Sequence, residues 1–401
     1  MAQAILADEA PPVCADSQGL SLALTPTRAA MPSKLLIASP LVGGLLAAGL
    51  AVHEDRLAEI AAIEATPGVL WRAAAHPRFA ASPPGAVRSL CGVKAGWKAQ
   101  LHAAVERGDV RRFQSAANAE VPAEFDSATH WPQCKKIITD IRDQSNCGCC
   151  WAFAAAEAAS DRMCIATNAS IMYPLSAEDV CFCAEDDGCD GGMLDTPWDY
   201  IKSAGVVTGG QYHGTGPFGK GLCSNYALPH CHHHGPQGED PYPAEGEPGC
   251  ASQSTQRCPK KCDSDAATEH SSLKDDKYIF HGEVETASGE REIQEMIMSG
   301  GPVETAFTVY SDFESYAGGV YHHVKGEMAG GHAVKIVGWG VEGEVKYWKV
   351  ANSWNPYWGE KGYFRIRRGH NEGGIEDQVI AASADAAWGK KRDLGSSELV
   401  V

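Results

Sequence analysis

The sequence predicts an α+β protein built from two domains, and three observations point to it. Its 401 residues are 44% hydrophobic, with ordinary aromatic content, which is enough for two cores. The N-terminal half is rich in alanine and reads as helical, most clearly from Ala152 to Ala159. The C-terminal half alternates instead: Ala333–Trp339 and Lys346–Val350 carry the period-two pattern of strands.

From its start, the chain offers one long apolar run, residues 35–51, preceded by Lys34 and ending in the small residues Ala47, Gly49 and Ala51. A positive flank, an apolar stretch and small residues are the parts of a secretory signal. Thirty residues lie upstream of Met31, so either translation begins there or the run is a signal anchor; at 17 residues, interrupted by Pro40, it is marginal for a membrane span. Residues 1–51 are therefore expected to send the chain into the secretory pathway. The fifteen cysteines fit an oxidising compartment. A formal charge of −17 without clustered Lys and Arg argues against a nucleic-acid partner. Residues 52–120 show helical spacing in Asp55–Glu64 and Ala95–Val110 but no catalytic candidate.

The chemistry concentrates in Gln144-Ser-Asn-Cys147-Gly-Cys149-Cys150-Trp151-Ala-Phe153. Cys150 opens the alanine-rich helix, so its sulfur is expected at a helix N-terminus, where the partial positive charge favours the nucleophilic thiolate. Cys147 is expected to pin the loop through a disulfide, and Gln144 supplies a side-chain NH2. Two later segments add a histidine among small residues, Gly330-Gly331-His332-Ala-Val334, and an amide beside an indole, Asn352-Ser353-Trp354.

Cys, His and Asn in that order resemble the papain family of cysteine peptidases. The resemblance implies that His332 takes the thiol proton and returns it to the departing amine, and that Asn352 orients the ring under the shield of Trp354. It also implies that the Gln144 amide and the Cys150 N–H form the oxyanion hole. From Val121 to about Ala381 the match tightens to the cathepsin B branch, through Trp131-Pro-Gln-Cys134, Ile141-Arg-Asp-Gln144, Ser160-Asp-Arg162, Cys189-Asp-Gly-Gly192, Gly300-Gly-Pro-Val303 and Tyr310-Ser-Asp-Phe313. The implied fold is papain-like: a helical left domain carrying Cys150, an antiparallel β right domain carrying His332 and Asn352, and the cleft between them. Leu90-Cys91-Gly92 and, more distantly, Trp71-Arg-Ala73 are similar to cathepsin B propeptides. Residues 52–120 are then a propeptide lying across the cleft in reverse and lost on activation near Val121.

His332 and Asn352 lie 182 and 202 residues after Cys150, beyond the roughly 130 to 150 of ordinary relatives. The extra chain includes Cys231-His-His-His234 through Cys250, which resembles the occluding loop of cathepsin B. That likeness gives His233 and His234 the substrate's C-terminal carboxylate and makes Asp143 the anchor of His233, with the imidazoles cationic in acid. The enzyme would then release dipeptides from C-termini. This insert, 231–250, is longer than the family's usual loop, and Tyr357 stands where a second anchoring Asp is expected, which predicts a looser loop and more endopeptidase activity. Three consecutive histidines also suit zinc, but the neighbouring cysteines are better used in disulfides, and the reading needs no metal and no cofactor.

Family correspondence implies the bridges Cys134–Cys164, Cys147–Cys189, Cys183–Cys258, Cys223–Cys262 and Cys231–Cys250. Cys149 and Cys181 remain, either as thiols or as a sixth bridge. Gly191, Gly192 and Gly331 leave room for a peptide backbone, and Gln378 stands where relatives often carry a Glu that reads Arg at the second residue before the cut. A neutral amide there predicts apolar side chains instead. Asn168-Ala-Ser170 is a glycosylation sequon in a secreted chain, and residues 382–401 read as a C-terminal extension whose tail, Trp388–Val401, is mobile. The expectation is a monomeric cathepsin B-like cysteine endopeptidase and peptidyl-dipeptidase. It acts on proteins and peptides, is inhibited by its own propeptide, and works in a lysosome-like acidic compartment or outside the cell. Its rivals are a catalytically silent binding protein on the same fold, a thioredoxin-like Cys147-x-x-Cys150 oxidoreductase, and a zinc module.

Overall fold

A computed structural model describes residues 52–116, 120–231 and 251–394. The apolar run 35–51, the histidines His233 and His234, and Cys250 lie outside the described residues. Among those described, no helix is long and apolar enough to cross a membrane.

The helix Cys150–Ala166 organises the molecule, and its first fifteen residues are all buried. A helix apolar on every side must be surrounded, and here alanine lets the neighbours come close. Its charged residues are neutralised inside: Asp161 meets Lys335 at 2.7 Å, and Glu157 lies 3.7 Å from the same ammonium. Arg162 donates to the carbonyls of Met296, Gly301, Pro302 and Ala382. Those carbonyls flank the strands of the second domain, so one guanidinium ties the two halves together. Burial pushes the carboxyls up, Glu157 to about 7 and Asp161 to about 6. Helices Ala177–Cys183 and Asp195–Ser203 pack against this central helix on the helical side.

The other half is a sheet around the long strand Met328–Glu342, which pairs antiparallel with Val303–Tyr310 on one side and Val345–Ala351 on the other. The two segments read as strands from their alternation lie inside Met328–Glu342 and Val345–Ala351. The α+β class and the papain-like division are as the sequence predicted, although Tyr363–Arg367 joins Tyr316–Tyr321 in parallel. Both outer edges are closed by the N-terminal segment. Trp71–Ala73 pairs antiparallel with Tyr316–Tyr321, and Val110–Arg112 pairs parallel with Val284–Ala287. Residues 52–116 thus cover two exposed ladders of backbone groups and cross the cleft between them. The two longer helices they form run Glu54–Glu64 and Trp97–Arg107, the second stopped by Gly108 in a left-handed conformation.

One expectation about the C-terminus fails. Ala387–Lys390 is a strand antiparallel to Tyr278–His281, followed by the helical turn Lys391–Leu394. The reason is Trp388, buried against Phe280 with ring centroids 4.9 Å apart; an indole covered on that scale fixes the chain that bears it.

Five disulfides occur among the described residues: Cys134–Cys164, Cys147–Cys189, Cys149–Cys181, Cys183–Cys258 and Cys223–Cys262. Cys231 is also disulfide-bonded. The sulfurs of Cys147, Cys149 and Cys181 lie close enough together to resemble a metal site, but all three are committed to bridges and have no thiolate to offer.

Candidate active site

Cys150 is the first residue of its helix, and the turn before it is held by the bridges at Cys147 and Cys149. The bridge at Cys149 also removes that sulfur as a rival nucleophile. His332 projects from the strand Met328–Glu342, and its Nε2 lies 2.8 Å from Asn352 Oδ1. Because Oδ1 only accepts, and accepts the Ser353 N–H as well, the imidazole proton sits on Nε2 and leaves Nδ1 as the basic nitrogen. Nδ1 makes no hydrogen bond among the described residues. The Trp354 ring covers the imidazole at a centroid distance of 4.9 Å.

Gln144 is fully buried and oriented by Ser353, whose Oγ donates to Oε1 at 2.7 Å and whose carbonyl accepts the Gln144 N–H at 2.9 Å. The amide NH2 is thereby turned to donate, and Nε2 reaches the Cys147 carbonyl at 2.7 Å and the Leu90 carbonyl at 3.2 Å. Ser353 was not singled out in the sequence, although its place between Asn352 and Trp354 is a signal in hindsight.

The tetrapeptide Leu90–Val93 reaches Gln144, His332 and Cys150 together. Its Leu90 carbonyl accepts from Gln144 and lies close enough to act on the charge of His332. The Gly92 N–H points at Cys150 Sγ, 3.3 Å away. Val93 N–H donates to Gly331, and the Gly92 carbonyl accepts from Gly192, parallel to one wall and antiparallel to the other. The sulfur therefore faces an N–H donor and not a carbonyl carbon. Gly92 is required there, since a Cβ would run into the Gly148 backbone. Gly192 is required too, since a side chain would strike the Trp151 ring.

This cover changes the electrostatics from those expected. Cys150 and His332 are both fully buried. Burial pushes the thiol up to about 11, against the N–H groups of Ala333, Gly92 and Trp151, and pushes the imidazole down to about 4. The helix N-terminus does favour the thiolate, but desolvation outweighs it while the cleft is closed. Both groups are neutral across the physiological range.

Ion pairs and rings hold the covering segment down. Buried Arg56 meets Glu314 at 2.6 Å, and the same carboxylate accepts the N–H groups of Gly85 and Val87. Arg78 pairs with Asp143 at 3.0 Å, and Phe79 packs edge-on against Trp354. Asp143 also accepts from the backbone N–H groups of Ser145 and Cys231 and from Asn355 Nδ2. Its predicted partner His233 lies outside the described residues. Gln378 is half-buried, its carbonyl accepting from Thr305 Oγ1 at 3.0 Å, with no hydrogen bond to its Oε1 among the described residues. Its neighbour Asp377 pairs with Lys98 of the covering segment. Asn168 is exposed in a left-handed turn after the central helix. Neither Arg78 with Asp143 nor Arg56 with Glu314 was legible in the sequence, because nothing local connects residues so far apart along the chain.

Comparison with known proteins agrees with this geometry. A family model described as papain family cysteine protease matches residues 121–383. The chain is 44% identical over 267 residues to a cathepsin B-like cysteine proteinase of Schistosoma japonicum, covering 66% of this chain and 73% of that protein. It is 46% identical over 264 residues to cathepsin B-like cysteine proteinase 4 of Caenorhabditis elegans, covering 65% and 74%. Among solved structures, proCathepsin B S9 from Trypanosoma congolense superposes with a TM-score of 0.64 at 28% identity, over 81% of this chain and 96% of that one. That coverage reaches beyond residues 121–383 into the covering segment. The chain belongs to the papain family of cysteine proteases, as a cathepsin B-like peptide hydrolase.

Proposed function

We propose that Cys150, His332, Asn352 and Gln144 hydrolyse peptide bonds once residues 52–120 have been removed near Val121. The thiol proton passes to His332 Nδ1, and the thiolate attacks the substrate carbonyl carbon. The resulting oxyanion is held by Gln144 Nε2 and the Cys150 N–H. Collapse breaks the C–N bond, the amine leaves with the proton from His332, and water hydrolyses the thioester with His332 now as base. Asn352 fixes the tautomer that makes Nδ1 the proton acceptor, and Trp354 keeps water from that hydrogen bond. No metal or cofactor enters any step.

The observation that carries this reading is the single tetrapeptide, Leu90–Val93, in contact with Gln144, Cys150, Gly192 and Gly331 at once. A peptide backbone already lies where a substrate would, in a pose that offers the sulfur nothing to attack. Residues 52–120 are accordingly the inhibitory prosegment, and the proform of the Trypanosoma relative supports that role. Release of C-terminal dipeptides through His233 and His234, anchoring of that loop at Asp143, apolar preference set by Gln378, and a glycan on Asn168 belong to the same proposal. So does work in an acidic compartment of the secretory pathway or outside the cell.

The test uses prosegment-free enzyme and one model peptide with a free or an amidated C-terminus, its products followed by mass spectrometry. Dipeptides are expected mainly from the free-carboxylate form. Internal cuts alone would keep the peptidase and remove the dipeptidase, and no cleavage dependent on Cys150 would favour a silent binding protein.

A further inference from the structure

The loop between Cys183 and Cys189 is tethered at both ends by the bridges to Cys258 and Cys147. It carries three consecutive acids, Glu185, Asp186 and Asp187. Asp186 is held firmly: its carboxylate accepts the backbone N–H of Met193 at 2.8 Å and of Asp187 at 3.2 Å, and its side chain is only 5% exposed. Asp187 is more open, at 66%. One cation already sits between them. Lys94 donates its backbone N–H to Gly192 at 3.0 Å, and its Nζ reaches both Asp186 and Asp187, the latter at 2.6 Å. Lys94 stands two residues beyond Gly92, whose N–H touches Cys150 Sγ. The carboxylates therefore meet a side chain at a defined backbone distance from the sulfur, along the wall where a peptide pairs with Gly192. The neighbouring Val93 bonds Gly331 on the opposite wall, and Lys98 pairs with Asp377, next to Gln378.

We propose that, in the uncovered enzyme, Asp186 and Asp187 form a subsite for a lysine or arginine side chain at the third residue before the cut, which Lys94 of the prosegment occupies beforehand. The inference rests on the peptidase reading above and adds the class of substrate. When Lys94 departs, Asp186 keeps its two backbone donors and its fixed position while losing its counter-ion, so the site stays arranged for a cation without one. A guanidinium can span both carboxylates, and an ammonium can reach both as Lys94 does. Gln378, a neutral amide, gives no such reason for a basic residue at the second position. Basic selectivity thus moves one subsite further from the cut.

Matched peptides that differ only in that third residue, Lys, Arg, Ala or Glu, test this with active-site-titrated, prosegment-free enzyme. Lys and Arg are expected to exceed Ala in kcat/KM by roughly five- to ten-fold, chiefly through KM, and the advantage shrinks as salt rises to about 0.5 M. In D186N/D187N the Lys-to-Ala ratio is expected near one, and in D187N, at an exposed position, it falls part of the way. Each ratio is taken within one protein, so incomplete folding of a variant cancels. A ratio near one in the unchanged enzyme, or one that persists in D186N/D187N, overturns the proposal. Failure to cleave any of the four peptides with Cys150 intact would instead count against the peptidase reading itself.

Discussion

Replacing Cys150 with alanine is expected to lower kcat for peptide hydrolysis by roughly 10⁴-fold or more while leaving KM within a few fold. In the proposed mechanism the sulfur forms and breaks the covalent bond, and no neighbour can substitute for it. Cys149, the adjacent sulfur, is bound to Cys181, and Cys147 to Cys189. Gln144→Ala is the informative companion. Its amide is aimed by two contacts with Ser353 and donates to a carbonyl within the cleft. In the proposed mechanism that donor binds the substrate oxygen more strongly as charge builds on it, so kcat is expected to fall by about 10² to 10³ with little change in KM. Steady-state kinetics on prosegment-free protein, with active-site titration and a check that both variants melt like the parent, measures this. A Cys150→Ala protein with more than a small fraction of parental kcat would place the nucleophile elsewhere.

Gly92→Ala in the full chain is expected to open the cleft. A Cβ at Gly92 would collide with the Gly148 backbone, which belongs to the loop fixed by Cys147 and Cys149 and cannot give way. The prosegment must lift, and with it the Leu90 and Gly92 contacts to Gln144 and Cys150. Overpacking of this kind costs about 1 to 3 kcal/mol, so uncovered enzyme and peptidase activity before processing should rise by roughly ten- to hundred-fold. The anchors at Arg56–Glu314 and Arg78–Asp143 involve neither Gly92 nor Gly148 and are expected to keep the segment attached. Comparing initial rates of the unprocessed G92A chain and the unprocessed parent, with electrophoresis to show that neither has been cut, reads the effect. Equal rates would mean that Leu90–Val93 does not hold the cleft shut.

The parts of this molecule that were legible in the sequence are those whose signal is local. Cys150 opening an alanine helix, the alternation at 333–339 and 346–350, and the order Cys, His, Asn each occupy a few adjacent residues. What was missed depends on distant chain. The strands Trp71–Ala73 and Val110–Arg112 are three residues each, too short to show a period, and exist because sheet edges were waiting for them. Trp388 looked like part of a loose tail until Phe280 supplied its surface. The ionisation of Cys150 was read from its helix alone, with the sign that an open cleft would give. Burial in the covered structure reverses that sign, a property of distant chain that no stretch around Cys150 could reveal.

That reversal is the centre of the account, and the pH dependence of Cys150 alkylation tests it most directly. Iodoacetamide modification should be followed by peptide mapping of Cys150 in the intact chain and again after removal of the prosegment. In the intact chain the thiol, raised to about 11, and the imidazole, lowered to about 4, are both neutral at every pH between those values. Reactivity should be slow and should grow only in strong alkali. Once the segment leaves, water returns to the charged forms, His332 rises and Cys150 falls, and the proton moves from sulfur to nitrogen. Rapid alkylation should then extend down into the acid range, until the thiolate itself is protonated. The same slow, alkali-dependent profile after prosegment removal, or fast labelling at neutral pH in the intact chain, would contradict it.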